Sequence, residues 1–165
     1  MLNHVLIPLD GSPLAETALP EAKRILAANG RMTLVIAVDT PQLPFYGLDA
    51  SAAMIAPSPN EIDGTMKHAH AYLEKVAAEL KAQGYHVDTE VQVGEAATVI
   101  VETALKHRVD AIAICTHGHS GITRWLFGSV TSKVLGSAHC PIYVIPSLRK
   151  EEVPQAVLNT APAVS

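Results

Sequence analysis

Five short apolar runs, each parted from the next by a stretch of helical period, leave this 165-residue chain very few folds. Residues 4–9 carry Val5, Leu6, Ile7 and Leu9, and residues 32–38 are apolar almost throughout. Val87, Thr89, Val91 and Val93 alternate, and residues 110–115 and 142–145 are again continuous apolar runs. Between them Leu14, Ala18, Ala22, Ile25 and Leu26 recur at helical spacing, as do Met66, Ala69, Leu73, Val76, Ala77 and Leu80. Ala97, Ile100, Val101, Ala104 and Leu105 mark a further helix, and the last one follows Ser129. The order is βαβαβαβαβ. Apolar strands alternating with helices imply a parallel sheet covered on both faces, with right-handed crossovers. Such sheets hold ligands beyond the carboxyl ends of the strands, where the strand order reverses.

Local signals set the expected boundaries. Ser12 suits a helix cap and Pro13 its first turn, so a helix should run from there to about Asn29-Gly30, kinked where the Pro20 ring meets the Glu16 carbonyl. Residues 39–64 hold Pro41, Pro44, Pro57 and Pro59 and read as a variable excursion with one helical turn near 50–55. A helix over 65–83 then stops at Gly84, and Gly94 turns the chain after the third strand. Residues 1–146 make one domain, and 147–165 a flexible carboxy-terminal tail.

Composition excludes several classes of function. With 48% hydrophobic and 17% charged residues the chain is no disordered segment. Net charge is −4 and Lys and Arg never cluster, which argues against a nucleic-acid groove or an anionic membrane surface. The first apolar run meets Pro8 and Asp10 at once, unlike a signal peptide, and no stretch nears the roughly 20 apolar residues of a membrane span. The expected compartment is the cytoplasm, by elimination. Cys115 ends one strand and Cys140 precedes the next, on the order of 15 Å apart at ~3.3 Å per residue if the strands are parallel neighbours. Both should be free thiols.

The richest chemistry lies in residues 118–129. Gly118 follows the fourth strand, and nine residues later come Gly128, Ser129 and a helix that starts with Val130. Backbone N–H groups left free at a helix start carry partial positive charge, and glycine lets phosphate oxygens reach them. An ordinary βα loop in which Ser129 is only a cap uses the same residues. Binding is favoured by a second unusual strand end, Pro8-Leu9-Asp10-Gly11-Ser12, which shares one crevice with the first if strands one and four are neighbours. Cys115, His117 and His119 are residue types that suit zinc, but the chain turns there and no fourth ligand is evident, so they read as polar loop residues. His68 and His70 read as solvated, His139-Cys140-Pro141 as a turn, Trp125 and Phe127 as packing residues and Arg124 as a surface cation.

On these residues the chain resembles the universal stress protein family. Val5-Leu6-Ile7-Pro8-Leu9-Asp10-Gly11-Ser12 is similar to the family's first strand and turn, and the Gly94 turn with its helix also matches. The ATP-binding branch carries glycine, two residues, glycine, nine residues, then glycine and a hydroxyl residue. Here Cys115 stands in place of the first glycine, followed by Thr116-His117-Gly118, residues 119–127 and Gly128-Ser129.

The resemblance implies an α/β fold: a single-domain open five-stranded parallel sheet in order 3-2-1-4-5, Rossmann-like and of the adenine nucleotide alpha hydrolase type. It implies a homodimer through the fifth strand (Ile142, Tyr143, Val144 and Ile145) and a bound ATP, or ADP or AMP, with Mg²⁺ bridging the phosphates. Carried over, Asp10 and the backbone of Val38 face adenine, Pro8 and Cys115 lie by the ribose, and Gly118, Gly128, Ser129 and the N–H of Val130 hold phosphate. A side chain at position 115 is expected to crowd the sugar, so that Cys115→Gly tightens binding. No Gly-x-x-x-x-Gly-Lys loop, Gly-x-Ser-x-Gly elbow or paired His/Cys nucleophile is present. The leading reading is therefore a nucleotide sensor or regulator in stress response with an unknown protein partner. A slow ATPase or autophosphorylating enzyme comes second, and a nucleotide-free dimeric scaffold third.

Overall fold

A computed structural model of the protein describes residues 1–39, 59–116 and 128–146. Its strands are β1 (Leu2–Pro8), β2 (Leu26–Val38), β3 (His86–Val93), β4 (Ala111–Thr116) and β5 (Ile142–Pro146). They form one sheet in the order β3-β2-β1-β4-β5, and every pairing is parallel. The helices are α1 (Pro13–Glu16), α2 (Ala18–Ile25), α3 (Pro59–Ala82), α4 (Ala96–His107) and α5 (Ser129–Ser137). The expected sheet and strand order are the observed ones.

Side-chain alternation splits the core into two layers. Val5, Ile7, Leu34, Ile36 and Ala113 face α2 and α3, where Ala18, Ala22, Leu73, Val76, Ala77 and Leu80 cover them. Leu6, Val35, Ile112 and Ile114 face the other way, onto Ala97, Ile100, Ala104 and Val134 of α4 and α5. Each central strand is thus buried on both sides, which is why it reads as an unbroken apolar run.

The first helix departs from its expected form. It ends at Glu16 and restarts at Ala18, with Thr17 between, in place of a kink at Pro20. Restarting there puts Pro20 in the first turn of α2, where its missing N–H leaves no gap in the ladder and the Glu16 carbonyl lies outside the helix. Ser12 and Pro13 take their expected places: the Ser12 hydroxyl accepts from the Ala15 N–H at 3.1 Å.

Two further boundaries differ. Strand β2 begins at Leu26, inside the expected helix, because Leu2 pairs with Leu26 before the register shifts to His4 against Arg31. Gly30 lies in that shift, and a Cβ on it would stand 2.6 Å from Leu26 Cγ, so the irregularity depends on glycine. Helix α3 begins at Pro59, so residues 59–64 of the expected excursion are helical; proline opens the first turn and Glu61 complements its dipole. The expected turn near 50–55 and the tail from 147 lie outside the described residues. Leu105, placed on the inner face of its helix by spacing, is 63% exposed.

The carboxyl end of α4 is tied to β3 through Glu90, which accepts from Lys106 Nζ at 2.6 Å and from the Gln92 amide, and lies 2.6 Å from His107 Nε2. Burial pushes its carboxyl upward, but these hydrogen bonds outweigh that and hold it at about 2.

Candidate functional site

Strand order reverses between β1 and β4, and a cavity of about 310 Å³ opens there at their carboxyl ends. Pro8, Leu9, Asp10 and Ala15 line one side, Ile114, Cys115 and Thr116 the next, and residues 128–131 the third. Val35, Ala37, Ala96 and Ile100 complete it, so an apolar wall meets a polar rim.

Of the eight residues singled out from the sequence, Pro8, Asp10, Cys115, Gly128, Ser129 and Val130 line this cavity. Val38 does not: it is buried in the α2/α3 layer, and its carbonyl accepts from the Gly94 N–H at 3.0 Å. Gly118 lies outside the described residues, as do His117, His119, Arg124, Trp125 and Phe127. Thr116, Ala37 and Ile100 line the cavity and were not singled out. Thr116 had a signal: it follows Cys115 in the strand, and alternation turns it to the opposite face.

The turn after β1 holds Asp10 by its own backbone. Asp10 Oδ1 accepts from the Ser12 N–H at 2.9 Å, and Gly11 between them takes φ 80°. The Asp10 carboxylate is exposed at the cavity rim.

Two helices start at this cavity with different endings. The Glu95 carboxylate caps α4, accepting from the Thr98 N–H at 2.8 Å and the Thr98 hydroxyl at 2.9 Å, and it pairs with Lys133 of α5 at 3.0 Å. Those bonds hold Glu95 down at about 2, so this helix start already has its anion. Helix α5 starts at Gly128 with no side-chain cap. Gly128 has φ −55°, which any residue adopts, and a Cβ built there meets nothing within 4 Å among the described residues. Among the described residues, what glycine preserves here is open space above N–H groups that no described side chain caps, the arrangement that takes phosphate or carboxylate. Thr116, 8% exposed, offers its Oγ1 to the Gly128 N–H at 3.4 Å.

Cys115 packs against the α2/α3 layer, away from Ile114 on the other face. Its Sγ lies 3.0 Å from the Thr17 hydroxyl. Cys140 precedes β5, whereas Cys115 pairs with Ile145 near that strand's end; both thiols are free, and burial raises the pKa of Cys140. His68 and His70 are exposed, and residues 139–140 form a bend. Among the described residues no three His, Cys, Asp or Glu side chains converge as a metal site, and no helix is long and apolar enough to cross a membrane.

A larger groove, about 660 Å³, runs along β5 between Ile142–Pro146 and Thr17, Pro20, Glu21 and Ile25. Tyr143 is 42% exposed there.

Known proteins are similar to this chain in fold and in sequence. A universal stress protein of Methanocaldococcus jannaschii, MJ0531, is 32% identical over 92% of this chain and 86% of its own length. The solved structure of MJ0577, from the same organism, superposes with TM-score 0.69 at 26% identity, over 91% of this chain and 98% of that one. A universal stress protein in complex with cAMP superposes with TM-score 0.61 at 23% identity, over 87% and 97% of the two chains. An Arabidopsis thaliana family member with AMP bound does so with TM-score 0.56 at 16% identity, over 87% and 91%. A sequence model described as Universal stress protein family matches residues 1–146. With its fold, strand order and sequence all in agreement, the chain belongs to the universal stress protein family.

Proposed function

We propose that the chain is an adenine-nucleotide-binding regulator that takes ATP, ADP or AMP in the cavity between the ends of β1 and β4, as a homodimer. The observation that carries the reading is the start of α5: an uncapped helix N-terminus, kept open by Gly128, at the end of an apolar-walled cavity. Phosphate suits the N–H groups of Ser129 and Val130. The apolar side chains Val35, Ala37 and Ile100 suit a flat base, and the Asp10 carboxylate an amino donor. Pro8 and Cys115 lie between these ends, beside the sugar, and Mg²⁺ accompanies a polyphosphate to neutralise its charge. The AMP and cAMP complexes of two structural neighbours support the ligand class. Strand β5 supports the dimer, since among the described residues it has a neighbour on one side alone and carries Ile142, Tyr143, Val144 and Ile145 beside an open groove.

The output is occupancy: bound phosphate fixes the start of α5, and a protein partner reads the change. Denaturing freshly purified protein and identifying released nucleotide by chromatography, followed by calorimetric titration with ATP, ADP and AMP, tests this. Co-purified or tightly bound adenine nucleotide is expected. Failure of all three to bind the folded protein, with Mg²⁺ present, overturns the reading.

A further inference from the structure

The turn that holds Asp10 leads straight into α1, which is a single helical turn of four residues. One turn has no stability of its own, so its place beside the cavity is set by what it touches. Thr17, just beyond it, meets Cys115 of β4 at 3.0 Å. A second tie runs to α3, where the Tyr72 hydroxyl donates to Glu16 Oε1 at 2.8 Å. From Glu16 the bonds continue to the cavity rim: its N–H donates to the Ser12 carbonyl at 3.4 Å, and the Ser12 N–H donates to Asp10 Oδ1 at 2.9 Å. The far end of this path is anchored, since Tyr72 is partly buried against the layer that includes Leu73 and Val76. Burial, the Glu16 hydrogen bond and the Glu16 and Asp10 charges all raise the pKa of Tyr72, so its hydroxyl keeps its proton and remains the donor.

We infer that Glu16 and Tyr72 are positioning residues that hold the Asp10 carboxylate at the cavity rim and so set a preference for a base that carries an amino group. The inference rests on the nucleotide reading above and goes beyond it, since neither side chain lines the cavity. Asp10 is exposed, and its carboxylate is oriented by the Ser12 N–H. An ionised carboxylate only accepts hydrogen bonds, so at one and the same place it favours an amino group and disfavours a carbonyl oxygen. That choice is sharp while the carboxylate is held, and blurs when the turn beneath it loosens, because a displaced carboxylate reaches neither group. Without the Tyr72 hydroxyl the Glu16 carboxylate loses this partner, and α1 loses that tie to α3.

Calorimetric titration of the full chain with AMP and with inosine monophosphate, in which a carbonyl oxygen replaces the amino group, tests this in the parent, Tyr72→Phe, Glu16→Ala and Glu16→Gln. The parent is expected to prefer AMP about tenfold, the worth of a hydrogen bond to a charged group. Tyr72→Phe keeps the ring and removes the donor, whereas Glu16→Ala removes the acceptor. Each is expected to cut the preference to about threefold or less, by weakening AMP alone. Glu16→Gln keeps an oxygen for the Tyr72 hydroxyl and is expected to keep the parent's preference. The ratio of the two affinities within one variant is insensitive to its folded fraction, so a drop in stability does not mimic the effect. Parallel weakening of both nucleotides, an unchanged preference in Tyr72→Phe, or a parent with no preference overturns the assignment and leaves the nucleotide reading intact. A parent that binds neither overturns the nucleotide reading and the assignment with it.

Discussion

The thiol of Cys115 shares a hydrogen bond with the hydroxyl of Thr17. The two atoms lie 3.0 Å apart, and the Thr17 hydroxyl also donates to the Leu14 carbonyl at 2.7 Å. Strand β4 is thereby fastened to the junction of α1 and α2, and the sulfur lies on that side of the sheet. Cys115→Gly is accordingly expected to leave nucleotide affinity within about twofold, in place of the tightening that a crowded sugar predicts. It is expected to lower stability by about 1 kcal/mol, through backbone entropy and the lost contact. Titration beside a urea melt reads both; affinity that rises tenfold would place the sulfur in the ligand's way.

Gly128→Ala separates binding from folding. The backbone there accommodates alanine, and the added carbon meets no atom of the described residues within 4 Å, so the melting temperature is expected to stay within a degree or two. The same carbon occupies space over the N–H groups of α5, and AMP affinity is expected to fall about tenfold or more. Unchanged affinity in the folded variant would move the phosphate away from this helix.

Much of this was legible before any coordinates. Apolar period alone marked all five strands, since strands buried on both faces leave a run that nothing else explains. Local rules found Ser12 and Pro13 because a cap is decided within four residues. Thr17 was not legible. Its role as a break follows from the Pro20 ring, but its partner Cys115 is 98 positions away, and spacing carries no information about a contact between separate elements. The start of α3 at Pro59 was masked by a proline-rich neighbourhood that reads equally well as loop. Thr116 was overlooked because attention to the glycine pattern passes over the residue that faces the cavity between two pattern positions.

Acid stability should depend on Glu90. Its carboxyl titrates at about 2 in the folded protein against 4.5 for a free side chain, so its contribution is complete above 4.5 and disappears as pH falls toward 2. Glu90→Gln is expected to be less stable at neutral pH and to flatten the slope of unfolding free energy between those values. Urea melts from pH 2 to 7 measure it; equal slopes in both proteins would show that Lys106 and His107 do not hold the carboxylate in solution.

Assembly should depend on Tyr143. Tyr143 is 42% exposed on β5, which among the described residues pairs with β4 alone. Tyr143→Asp puts a charge on that edge and is expected to give a monomer by sedimentation, with the far-UV spectrum retained. A dimer that survives the change would assign the interface to another surface.

The unequal endings of α4 and α5 give the cavity a polarity. Both helices bring a positive end to it, but Glu95 answers one of them from within the chain, and Lys133 holds that carboxylate in place. Under the proposed function, a ligand with a charged head and a flat tail is expected to seat its head at the start of α5, the one of these two helix starts that no described side chain caps. On that reading one carboxylate, Glu95, decides which end of a visiting molecule faces the solvent, and so which part of it a partner can touch.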